Sequence, residues 1–210
     1  MLNQLMDKEM QYLVDNFRLM NQVEDEVSIP LVQLLDEAFL ITYLNDLKKN
    51  FKTDNLFVIA SQFMKRLGFI MTVPSLYAMT MYNRKLDVRL SNSYLVSKDV
   101  NDKWMPYLYV KNKSLTKLEL SDRLHHREEI VYELFNNLSM IIQKISAVAS
   151  VPKPILWENV AIYVYWLYET RMKNNITGDL DTQVRRDFHY LLYEVPGSVC
   201  KESINPLQKF

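Results

Sequence analysis

The sequence predicts a mainly helical α+β fold, a single domain of residues 1–210 with a small antiparallel sheet inserted around residues 85–120. Three observations predict it. Long stretches place apolar residues three and four apart, the spacing of one face of a helix. β-Branched and aromatic residues in short runs are confined to one internal stretch. Only 3 glycines occur in 210 residues, too few for a many-turned β-sandwich or a glycine-rich phosphate loop.

Leu2–Leu19 is the first predicted helix, its apolar face built from Leu2, Leu5, Met6, Met10, Leu13, Val14 and Phe17. Pro30 suits the first turn of a second helix running to Phe51. A third is predicted from a Thr53 or Asp54 cap to Thr72, with Pro74 interrupting it or opening a segment that ends near Tyr82. Between Lys85 and Leu120, Val88, Leu90, Tyr94, Val96, Trp104, Tyr107, Tyr109 and Val110 predict two or three short antiparallel strands. Asp99, Asn101 and Asp102 supply turn chemistry there. Helix returns at Asp122–Ala149, where Ile130, Val131, Leu134, Phe135, Leu138, Ile141, Ile142 and Ile145 share a face. Pro154 opens the next helix, Ile155–Asn174. Asp181 is the expected cap of a last helix over Thr182–Val195, which Pro196-Gly197 ends.

The composition narrows function by exclusion. The 25 basic and 25 acidic side chains cancel, so no nucleic-acid partner is expected. The opening MLNQLMDKEM has no basic segment leading into an apolar one, and Leu67–Tyr82 and Ile155–Tyr168 are too short to span a bilayer. A cytoplasmic chain without an integral membrane segment is the expectation. No Walker A, dinucleotide fingerprint, kinase set or G-x-S-x-G occurs. His125 with Glu129, or His126 with Glu133, gives two ligands at helical spacing and lacks a third, so solvent-facing histidines are the better reading. His189, near Arg185 and Arg186, has no nucleophile to activate. Cys200 is the only cysteine, beside Lys201, whose charge favours the thiolate. Basic residues gather at Arg84, Lys85 and Arg89, at Lys111, Lys113 and Lys117, and at Arg185-Arg186. With interleaved tyrosines and Trp104 they form either an anion-binding mixture or, more simply, a solvated face.

Three segments carry a resemblance. They are Leu156-Trp157-Glu158-Asn159 continuing to Trp166, Phe69–Val88 with Val73-Pro74 and Leu86-Asp87-Val88, and Asn205-Pro206-Leu207. Together they resemble the FhuF-like ferric-siderophore reductases, whose fold is related to the C-terminal region of the IucA/IucC siderophore synthetases. The first 50 residues match only in helical character. The resemblance implies a siderophore-iron utilisation protein that binds ferric siderophore, with Trp157 and Asn159 as candidate substrate-binding residues. Family members hold a [2Fe–2S] cluster on a C-C…C-x-x-C arrangement downstream of the Asn-Pro-Leu. Here Phe210 follows that motif closely and none of those cysteines is present. The expectation is therefore a chain without a cluster of its own, served by an external electron donor. The alternatives are a non-enzymatic accessory or regulatory protein of the siderophore pathway and, more weakly, an IucA/IucC-like biosynthetic component.

Overall fold

The computed structural model describes residues 2–23, 28–101, 103–112, 115–174 and 176–209. Asp102 and Lys113, named above for turn chemistry and basic charge, lie outside the described residues.

Helix α1 spans Leu2–Phe17 and leads directly into strand β1, Leu19–Met20. Strand β2, Ser28–Pro30, precedes a 3₁₀ turn at Leu31–Leu35, then α2 at Glu37–Asp46 and α3 at Lys48–Phe51. One helix from Pro30 to Phe51 was expected here. Asp36 breaks it, because its backbone is extended and its carboxylate accepts the Phe39 N–H at 2.8 Å, as an N-cap does.

Helix α4, Leu56–Tyr82, is the centre of the fold. Its cap is Asn55 rather than Thr53 or Asp54, accepting from the Phe57 and Val58 N–H groups. The helix runs straight through Pro74, and the Ser75 hydroxyl bonds the Met71 carbonyl within the same turn. Every residue from Ile70 to Thr80 is buried. This helix has no polar face because α1, α5 (Arg123–Ala149), α6 (Lys153–Tyr165) and β3 (Arg84–Leu86) surround it. The reading of Leu67–Tyr82 as too short to span a bilayer is corrected, since the uninterrupted helix has 27 residues. By length and composition it could cross a membrane, and 61% of its most apolar window is packed inside the protein.

Strands β4 (Ser93–Val100) and β5 (Lys103–Val110) form the predicted antiparallel hairpin. Two additions come from the first 50 residues. Strand β2 pairs antiparallel with β4, and β1 pairs parallel with β5, giving the order β1-β5-β4-β2 and a mixed sheet. Strands of 2 and 3 residues are too short to leave an alternation in the sequence. A second ribbon pairs β3 with β6, Leu115–Lys117.

Helix α6 passes into a π-helical turn at Trp166–Arg171, and α7, Asp179–His189, into another at Tyr190–Glu194. Asp181 lies inside the first turn of α7 and pairs with Arg185, so it is not the cap. Where α4 crosses α6 the backbones touch. A Cβ added at Gly68 would sit 3.3 Å from Val160 Cγ2 and 3.4 Å from the Asn159 carbonyl oxygen. A network of buried polar groups closes the opposite end of α4. Asp187 on α7 is fully buried and accepts from both terminal nitrogens of Arg123 and from Thr80, whose hydroxyl also meets that of Tyr168.

Candidate functional site

The segments that carry the resemblance are fasteners. Trp157 is 1% exposed and stands edge-on to Phe135 in the core. Its indole N–H is buried without a partner among the described residues. Asn159 donates its amide to the Ser61 carbonyl at 3.3 Å and hydroxyl at 3.2 Å, tying α6 to α4. Asn205 donates to the Leu191 and Leu192 carbonyls and accepts the Leu207 N–H, clasping the chain end onto the last helix. In Leu86-Asp87-Val88, the Asp87 and Val88 carbonyls accept from Asn92 and Asn137.

Other candidates disperse. His125 and His126 both turn to Glu129 at 3.3 Å, while Glu133 is engaged by Lys85 at 2.8 Å. His189 is exposed and meets Glu194. Arg84, Lys85 and Arg89 each hold a carboxylate, from Glu9, Glu133 and Asp87 respectively. The two-iron cluster implied by the resemblance requires several thiolates or equivalent ligands. The sequence offers one thiol, buried in the turn Gly197–Cys200. Burial, assisted by Glu202, pushes the Cys200 thiol up to about 12. The favourable effect expected from Lys201 is overridden, and these residues do not fit such a cluster.

A different arrangement stands out electrostatically. It lies where β1 begins beside β5. Strand β1 pairs with Leu108 and Tyr109, so the earlier part of β5 has no strand neighbour on that side among the described residues. Arg66, from α4, fills the gap by donating Nε to the Trp104 carbonyl at 3.2 Å. The same guanidinium reaches the carbonyl and side-chain oxygen of Gln62 and stacks over Phe51 at 4.8 Å. Arg18 sits at the junction of α1 and β1 with φ 55°, a left-handed conformation unusual for a bulky side chain. Its carbonyl accepts the Leu108 N–H, and its guanidinium lies 4.8 Å from the Phe69 ring centre. Phe69 in turn touches Tyr163 at 5.1 Å and Trp166 at 6.2 Å. Trp166, the first residue of the π turn, is 36% exposed, and Ile162 beside it is 45% exposed.

Both arginines are half-buried, and neither forms an ion pair with a carboxylate among the described residues. Burial lowers the pKa of each, and Arg18 lowers that of Arg66 further by repulsion. The Tyr163 hydroxyl stands near both, and its own pKa is raised by burial against the pull of the two cations. It is therefore a neutral hydrogen-bond donor at neutral pH. Two cations without a described counter-ion, set beside aromatic rings, are complementary to an anion with a flat, polarisable surface.

A cavity of about 500 Å³ lies on the other side of Trp104, between α2, α3 and the hairpin. Tyr43, Phe39 and Trp104 line it, with Asp46 and Asp99 among its polar groups. Tyr43 and Trp104 meet at the Ser97 hydroxyl, and burial pushes the Tyr43 phenol up to about 12. Lys98 lines it as well, so its charged groups are two carboxylates and one ammonium.

Comparison with known families gives one match. The family described as ferric iron reductase FhuF-like transporter covers residues 61–194, well over half of the chain. No curated protein matches it by sequence.

Proposed function

Because this chain belongs to the FhuF-like ferric iron reductase family, we propose that it serves siderophore-iron utilisation by binding a ferric siderophore at the corner framed by Arg18, Arg66, Tyr163 and Trp166. One observation carries the placement. Two half-buried guanidiniums without carboxylate partners among the described residues face a cluster of aromatic side chains.

In this reading the arginines bind the oxygen shell of the complex and the Tyr163 hydroxyl donates to it. Phe69, Tyr163 and Trp166 cover its organic surface. Trp157 and Asn159 act from beneath, holding α6 against α4 so that Tyr163 and Trp166 keep their places, rather than touching the ligand. Hard hydroxamate or catecholate oxygens hold ferric iron much more tightly than ferrous iron, so one added electron releases the metal. That electron comes from an external donor, and the chain works in the cytoplasm without an iron–sulfur cluster of its own. Purified protein is then colourless, and a brown preparation with stoichiometric iron and sulfide contradicts this part of the proposal.

Titrating purified protein with ferric siderophores while recording tryptophan fluorescence tests the binding step. Saturable quenching in the micromolar range is the expected result, and it weakens in Arg66→Gln. A second reading, a non-enzymatic siderophore-pathway protein, is favoured by the single sealed thiol, Cys200. The two readings separate when a low-potential reductant and a ferrous-iron trap are added. Faster iron release with protein supports the reductase type, whereas binding without acceleration supports the accessory role.

A further inference from the structure

We infer that the cleft between the start of α5 and the end of α7 is an anion site that takes a phosphate group, with Arg127 as its buried donor and Arg186 as its open one. The inference stands apart from the siderophore reading, and neither depends on the other.

The cleft has a volume of about 430 Å³ and is lined by Arg127, Arg185, Arg186, His189 and Glu194. Helical spacing builds it. Arg185 and Arg186 precede His189 by four and three residues on α7, which makes both its neighbours on the helix surface. Helix α5 supplies Arg127 one turn after Arg123, and both turn to Asp187 on α7.

The charge balance in this packing is incomplete. Asp187 is the only buried acidic residue among the described residues, and Arg123 occupies both of its oxygens with hydrogen bonds. Arg127 approaches the same carboxylate only to 3.5 Å, too long for a strong hydrogen bond. Its Nε is buried with no partner among the described residues. Arg127 is 7% exposed and keeps its proton, as arginines in proteins do, so a second anion beside it is favourable. The carboxylates nearby are spent on other groups. Asp181 holds Arg185 at 2.7 Å, and Glu194 turns to His189 at 3.1 Å. Arg186 has no hydrogen bond or ion pair among the described residues.

Phosphate matches what is left over. A guanidinium is a planar fork that donates to two phosphate oxygens at once. The Tyr190 ring lies 3.8 Å from the central carbon of the Arg127 guanidinium, which holds that fork in place before a ligand arrives. The cleft exceeds what one inorganic phosphate fills and falls in the size range of small-molecule sites. A small phosphate ester is therefore the larger ligand of the same chemistry.

Calorimetric titration of the intact chain in phosphate-free, low-salt buffer tests the site. The probes are inorganic phosphate, AMP and adenosine, with sodium chloride matched for ionic strength as the blank. Phosphate and AMP are expected to bind once per chain, and adenosine not at all. AMP binding about tenfold tighter than phosphate assigns the site to an ester, equal affinities assign it to the free ion, and either supports the inference. Arg186→Gln, a change at an exposed residue with no contact to lose, is expected to weaken phosphate about tenfold. Arg127→Gln is expected to abolish binding, with circular dichroism establishing that it is folded; should it not fold, Arg186→Gln decides. Arg89→Gln, which removes one positive charge elsewhere, is expected to leave the affinity unchanged. Heats no larger than those of the chloride blank overturn the site. Affinity unchanged in Arg186→Gln, or lowered equally in Arg89→Gln, overturns its assignment to this cleft.

Discussion

Arg123 grips the carboxylate of Asp187 with both of its terminal guanidinium nitrogens, and Asp187 is fully sealed from solvent. Arg127 adds a second cation at 3.5 Å, and Thr80 a hydroxyl at 3.0 Å. The pair joins α5 to α7, and its neighbours Thr80 and Asn83 extend the tie to the end of α4. Replacing Asp187 by Ala leaves buried guanidiniums without a counter-ion. We expect a loss of about 3–5 kcal/mol in urea unfolding, with Asp187→Asn intermediate. A loss below about 1 kcal/mol would show that water reaches these arginines.

Asn159 makes the corresponding tie between α6 and α4, through Ser61. Asn159→Ala is expected to lower stability by about 1–3 kcal/mol. Affinity for any bound complex falls only modestly, because the amide supports Tyr163 and Trp166 from below. A large affinity loss with unchanged stability would instead make Asn159 a direct ligand contact.

Alkaline pH acts on groups that the fold keeps protonated. Burial raises the Cys200 thiol from 9.0 to about 12 and the Tyr43 phenol from 10.0 to about 12. Between those values the folded chain retains protons that the unfolded chain has released, so stability falls as pH rises. The urea midpoint should hold steady from neutral pH to about 9, then drop progressively toward about 12. The double change Cys200→Ser, Tyr43→Phe should lessen that drop without abolishing it, since burial also raises the phenols of Tyr82, Tyr163 and Tyr168. Native Cys200 should also resist thiol reagents at mildly alkaline pH and react at once on unfolding.

Arg18 combines a left-handed backbone with a charge that has no described counter-ion. Arg18→Asn tolerates that backbone and removes the repulsion on Arg66. The variant is expected to be more stable by about 1 kcal/mol at most, while binding anionic complexes more weakly. Such opposition marks a site held in strain for function. A variant both less stable and still binding normally would assign Arg18 to structure alone.

Much of the helical fold was legible because it rests on periodicity. Ile130 through Ile145 share one face of α5 and are buried as expected. Pro74 misled, since a proline with buried surroundings on every side can sit inside a helix whose tertiary packing outweighs the lost bond. The break at Asp36 was visible in principle, as an aspartate before Glu37 is a cap signature. The two short strands of the first 50 residues left no pattern because they pair with residues far along the chain. The corner escaped for a related reason. Arg66 merely precedes the apolar stretch Leu67–Tyr82, and Arg18 falls at the end of a helix where arginines are common. What brings them together is the start of β1 opposite Leu108 and Tyr109, a tertiary fact. A sequence clue does exist, since Phe63 and Phe69 bracket Arg66 at helical spacing.

Gly68 lets α4 and α6 touch backbone to backbone, with no room for a Cβ between them except by displacing Val160. Arg66 and Phe69 ride on one of these helices and Tyr163 on the other, with Trp166 immediately after it. They are therefore carried on two helices in close contact. At the proposed site, capture is expected to be governed by encounter rather than by opening, with no large reorganisation before binding. Ionic strength should consequently act chiefly on the association rate of charged ligands and much less on their residence time, the kinetic signature of a preformed, electrostatically steered site.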